Sequence, residues 1–150
     1  MSRLLLLVLV AAAGALLHPT RDRDCEARAQ VRGTLSATID GDSAEATCLQ
    51  GDVESGTLTL KGTVALEPGD RDVRLRVPGA QAGQTYTLSP DAAAAVATIE
   101  APGEAPASGA GQVSLQTVTA SGASGTFAFT ARDESGAVVE VTGGQFDLTF

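Results

Sequence analysis

The chain contains no tryptophan, one tyrosine (Tyr86) and one histidine (His18), and aromatic residues make up only 3% of it. Aromatic rings form the faces on which bases and sugars stack, so a base-stacking platform or an aromatic sugar cleft lacks its parts. A lone imidazole near the N-terminus leaves no base for a Ser-His-Asp or Cys-His arrangement inside the fold. Lys61 is the single lysine, and nothing beside it forms a serine–lysine motif. Two cysteines without a histidine near them cannot complete a zinc site. The stretch Gly122-Ala123-Ser124-Gly125 lacks both the lysine and the following helix of a phosphate-cradling loop. Basic residues number 10 against 18 acidic ones, for a formal charge of -8. Such a balance argues against nucleic acid, whose phosphates require a clustered basic surface. No catalytic, metal or cofactor-binding residue is assigned, and the reading is non-enzymatic.

What is present begins with an export signal. Arg3 supplies a positive start, Leu4 to Val10 an apolar core, and Ala13-Gly14-Ala15 an A-x-A-type cleavage site. The apolar run from Leu4 to Leu17 is shorter than the roughly 20 residues that span a bilayer, so no transmembrane segment is expected after signal removal. Cleavage is placed after Ala15, with Ala13 as the alternative. The domains read as a signal peptide over 1–15, a polar leader over 16–30 and one β domain over 31–150. Cys25 follows Arg23-Asp24, well beyond the apolar run, which argues against lipid attachment there.

In an exported chain Cys25 and Cys48 are expected to form one disulfide. Closing that loop contributes roughly 3 kcal/mol by chain entropy and ties the leader to the domain.

From Val31 onward the hydrophobic period is two. Leu35, Ala37 and Ile39 alternate with Ser36 and Thr38; Val73, Leu75 and Val77 alternate with Arg74 and Arg76. Leu58 and Leu60, Val113 and Leu115, Phe127 and Phe129, and Phe146, Leu148 and Phe150 follow the same rule. One apolar face per strand marks half-buried antiparallel strands. The fold class is therefore all-β, an antiparallel sandwich or a strongly curled, barrel-like sheet of about eight to ten short strands. Asp40-Gly41, Glu54-Ser55-Gly56, Pro68-Gly69-Asp70, Pro78-Gly79, Ser121-Gly122 and Glu134-Ser135-Gly136 supply the turns.

Three segments depart from the pattern. Ser89-Pro90-Asp91 before Ala92 to Ala95 predicts a one-turn helix, leading into a strand from Val96 to Glu100. Ala101 to Gly111 (APGEAPASGAG) reads as a loop. Val139 and Val141 are odd-numbered, whereas Phe146, Leu148 and Phe150 are even-numbered, so a continuous strand would place them on opposite faces. A glycine-containing bulge at Gly143-Gly144, or a turn there between two strands, restores a common face, and the bulge or bend is preferred. All four phenylalanines lie in the last 24 residues, where they are expected to pack the core rather than line a pocket.

The segments Gly33 to Gly41 (GTLSATIDG), Gly83 to Leu88 (GQTYTL), Gly125 to Ala131 (GTFAFTA) and Val138 to Phe150 resemble an uncharacterised family of bacterial exported or lipoprotein-like β domains, a domain of unknown function. The resemblance spans residues 31–150 and implies the fold and export, but no catalytic residue. Where such domains often carry a tryptophan after the first hairpin, this chain has Ala44-Glu45-Ala46, and it lacks the lipoprotein box that many of them possess.

The expected function is that of an exported envelope or secreted interaction module (periplasm, cell surface or medium), whose partner is an unknown protein or small molecule. Two alternatives stand beside it. One is a small apolar-ligand carrier using the interior of a curled barrel. The other is a calcium-dependent surface module built from the acidic turns around Asp40/Asp42, Asp70/Asp72 and Asp133/Glu134, where turn chemistry is the simpler reading. The terminal Phe146-x-Leu148-x-Phe150 also resembles the last strand of an outer-membrane barrel, but the scarcity of aromatics and the Arg74/Arg76 pair point to a soluble strand.

Overall fold

A computed structural model describes residues 31–150. The expected signal, leader, His18 and Cys25 lie outside the described residues. The alternating segments fold as nine strands: β1 (Arg32–Ile39), β2 (Asp42–Glu54), β3 (Thr57–Val64), β4 (Arg71–Val77), β5 (Thr85–Leu88), β6 (Val96–Glu100), β7 (Ala107–Thr119), β8 (Gly122–Arg132) and β9 (Val138–Thr149). All neighbouring strands pair antiparallel, in the order β5-β7-β6-β4-β3-β2-β1-β9-β8. A further pairing of β7 with β8 closes the sheet, giving an eight-stranded antiparallel barrel. The short β5 completes the wall by pairing with β7 over Gly111 to Ser114, beyond the Ala107–Gly109 stretch that β6 occupies.

The period-two pattern sets the two surfaces of this wall. Leu35, Leu58, Leu60, Val73, Leu75, Val77, Val113, Leu115 and Val141 are buried and belong to one core cluster inside the barrel. Threonines, serines and charged residues alternate with them on the outer side. A membrane-spanning barrel carries its apolar band outside; here the apolar face points inward. No helix among the described residues is long and apolar enough to cross a membrane.

The turns follow their sequence signals. Asp40 (φ 51°) and Gly41 (φ 93°) form the β1–β2 hairpin, and Ser55 (φ 50°) with Gly56 (φ 76°) the β2–β3 hairpin. Both have the paired positive φ values that match hairpin twist. Gly143 (φ 57°) lies in a bulge of β9, where Phe127 pairs with Gly144 but Phe129 with Val141. That extra residue brings Val141 and Phe146 to the same buried face, as the parity argument requires.

Two local expectations need correction. The predicted one-turn helix after Ser89 is a tight turn: the Asp91 carboxylate accepts from the Ala93 amide at 2.9 Å, and Ala94 N–H donates to Asp91 O at 3.0 Å. Asp91 caps its own turn, and Ala95 bridges back to Leu88 instead of extending a helix. The loop expected from Ala101 to Gly111 ends at Pro106, and Ala107 to Gly111 belong to β7. Their small side chains had signalled a loop because they leave room for a ring: that of Phe129 fills the space a side chain on Gly109 would need.

Candidate functional site

A bulge in β2 prepares the outer surface. Ala46 pairs with Val64, but Cys48 pairs with Thr63, so Thr47 is the extra residue. Ala44 and Ala46 face inward before it; after it the inward set is Leu49, Gly51 and Val53, paired with Gly62, Leu60 and Leu58. The shift turns Cys48, Gln50 and Asp52 outward. Cross-strand register then aligns three rows on the outside of β2, β3, β4 and β6. The first is Cys48, Thr63, Asp72 and Glu100; the second Gln50, Lys61, Arg74 and Thr98; the third Asp52, Thr59, Arg76 and Val96.

The β5–β6 turn rises beside the last row, and Arg76 Nη1 donates to the carbonyl of Ala92 at 3.1 Å. Between the turn and the barrel wall lies an open groove of about 710 Å³, lined among others by Gln50, Thr59, Lys61, Arg74, Arg76 and Thr98. Among the described residues its lining includes no aromatic one.

Lys61 and Arg74 stand directly opposite each other, a like-charge pairing that is unfavourable by itself. The carboxylates of the first row compensate. Lys61 Nζ lies 2.8 Å from Asp72 Oδ2, and Arg74 Nη2 lies 3.1 Å from Glu100 Oε2 and 3.6 Å from Asp72 Oδ2. Thr63 Oγ1 donates to Asp72 Oδ1 at 2.7 Å. Partial burial pushes the Asp72 pKa up, but hydrogen bonds from Lys61 and Thr63 and the charges of Lys61 and Arg74 together hold it below the ordinary aspartate value. Arg76 makes no ion pair among the described residues. The outer face is thus graded, from compensated charge at Asp72 and Glu100 to an uncompensated guanidinium at Arg76.

The family model for a domain of unknown function, DUF6252, matches residues 32–147. The chain belongs to the DUF6252 family. Neither the curated proteins nor the solved structures contain a match to it. The match covers nearly the whole barrel, so the groove lies inside the DUF6252 domain.

The structure places Cys48 on the outer side of β2, opposite Thr63; its expected partner Cys25 lies outside the described residues. The acidic turns stay apart in the DUF6252 barrel. Asp40 accepts the Glu140 amide at 2.8 Å, Asp133 accepts from Ser135 Oγ and from the Ala137 amide at 2.6 and 2.8 Å, and Asp72 joins the ion network. No group of three or more His, Cys, Asp or Glu side chains suited to a metal ion exists among the described residues. Sequence reasoning missed the groove. Arg74 and Arg76 were legible as outward residues, but the register that puts Lys61 and Gln50 beside them was not.

Proposed function

We propose that this DUF6252 domain is a non-enzymatic bacterial binding module, exported to the periplasm, the cell surface or the medium, whose working surface is the outer groove. The observation that carries this reading is the groove itself. It is a concavity with a few convergent polar groups and an uncompensated Arg76, on an otherwise acidic chain. The inner face supports an interior carrier poorly, since leucine, valine and phenylalanine side chains occupy it as core. Separation of the acidic turns likewise gives little support to a calcium module. Export rests on the Arg3–Ala15 signal pattern and on the two cysteines.

The test is site-specific photo-cross-linking in cells of the native host, with a benzophenone amino acid at Thr59 in the groove or at Thr126 on β8. A discrete adduct from Thr59 and none from Thr126, on protein released by osmotic shock or found in the medium and starting after Ala15 or Ala13, supports the reading. Equal labelling from both positions, or uncleaved chain in the cytoplasm, overturns it.

A further inference from the structure

We propose that the groove binds an anionic amphiphile, a single alkyl chain bearing one carboxylate, with the carboxylate on Arg76. This rests on the groove being the working face and names its ligand class.

The choice follows from what the groove offers and lacks. Every strand forming its floor is paired: β3 between β2 and β4, and β4 between β3 and β6. No free edge is therefore available there to add a peptide strand. With no aromatic residue in the lining, a sugar finds no stacking face. The remaining surface is apolar and aliphatic. Val96 and Ala92 belong to its lining, as do Lys61, Arg74 and Arg76, whose long side chains carry methylene stems that cover apolar area while their heads reach water. A volume of about 710 Å³ falls in the range of about 300–1,000 Å³ common to small-molecule sites.

Charge then fixes the orientation. Asp72 and Glu100 already neutralise Lys61 and Arg74 and would repel a carboxylate at their end. Arg76 spends Nη1 on the Ala92 carbonyl, which anchors the guanidinium and leaves its other N–H groups to donate to an anion. The alkyl chain lies against Val96 and Ala92.

Titration calorimetry of the purified chain with dodecanoate, below its micelle concentration, tests this. Saturable one-site binding is expected, weakened at least tenfold by Arg76→Gln and at least tenfold for dodecan-1-ol, with acetate giving no heat. Because Arg76→Gln also removes the anchor of the β5–β6 turn, Val96→Asp serves as a second variant: it sets a carboxylate opposite Arg76 and is expected to abolish binding while the thermal transition stays cooperative. Absence of saturable heat, unchanged affinity in both variants, or equal affinity for the alcohol overturns the proposal. A Thr59 cross-link without dodecanoate binding removes the ligand class and leaves the binding face; Arg76-dependent dodecanoate binding without a Thr59 cross-link keeps the ligand and removes the cellular partner.

Discussion

Phe127 lies directly opposite Gly144 across the β8–β9 pair, and its ring fills the space a side chain there would need. A Cβ on Gly144 would come within 2.6 Å of that ring. The arrangement recurs, with the Phe146 ring against Gly125, its opposite residue, and the Phe129 ring against Gly109. Ring centroids of Phe127 and Phe129 are 6.4 Å apart, and those of Phe127 and Phe146 are 6.3 Å apart. Three rings thus lie over three glycines on the inner wall. Gly144→Val is expected to destabilise the barrel by roughly 1–3 kcal/mol through overpacking, read as a lower urea midpoint. Pairing Gly144→Ala with Phe127→Leu should recover part of the loss suffered by Gly144→Ala alone.

Gly143 carries the bulge with φ 57°. Nothing stands near a Cβ built there, so Gly143→Ala tests the backbone conformation alone. A cost of about 1 kcal/mol is expected. Deleting Gly143 is a different perturbation: it removes the extra residue and leaves Val141 and Phe146 an even number of positions apart, so that regular alternation keeps both on the core face. A retained cooperative unfolding transition is the expected result, with denaturation followed by circular dichroism as the measurement; its loss would show that the bulge itself is required.

Asp72 should make stability depend on acid. Its folded pKa is depressed, so its contribution is complete above the unfolded value of about 3.9 and is lost as pH falls through the lower folded value. Asp72→Asn leaves Lys61 facing Arg74 without their shared carboxylate. The variant is expected to be less stable than the parent by about 1 kcal/mol at pH 6, a modest figure because solvent screens the pair. The difference should shrink below about pH 4 as Asp72 itself becomes protonated. Urea titrations of both proteins between pH 6 and pH 2 read this directly; a gap that widens on acidification would contradict the network described here.

The proposed Cys25–Cys48 bridge predicts a chain that resists alkylation until reduced and unfolded. Mass spectrometry under non-reducing conditions should find no added iodoacetamide. Cys48→Ser should lower stability by roughly 3 kcal/mol if the chain-entropy account of a loop this long holds. Because Cys48 is on the outer side of β2, its replacement leaves the barrel core untouched, which separates loss of the bridge from loss of packing.

Strands with a regular alternation were legible in the sequence, and so was the β9 bulge, because Val141 and Phe146 have opposite parity and both are too apolar to face water. Two kinds of segment were not. In β2 the bulge at Thr47 interrupts the alternation, so Ala44 and Ala46 on one side and Leu49 and Val53 on the other do not read as one strand. In β7 the run Ala107 to Gly111 is poor in bulky residues because Phe129 occupies the space, and composition alone presents that as a loop. The groove was hidden for a third reason. It depends on cross-strand register among four strands, and its cations alternate with core residues in the same way as any solvated face.

Pairing of β1 with β9 joins Arg32 to Thr149, nearly the full span of the domain. A chain emerging from a ribosome or a translocation pore, N-terminus first, has β1 in hand long before β9, and the wall stays open at that seam until β9 is free. Contacts of such separation are slow to form because the loop entropy is lost before they are made. Barrel closure is therefore timed by the emergence of β9, and the wall stays unclosed until that strand is made.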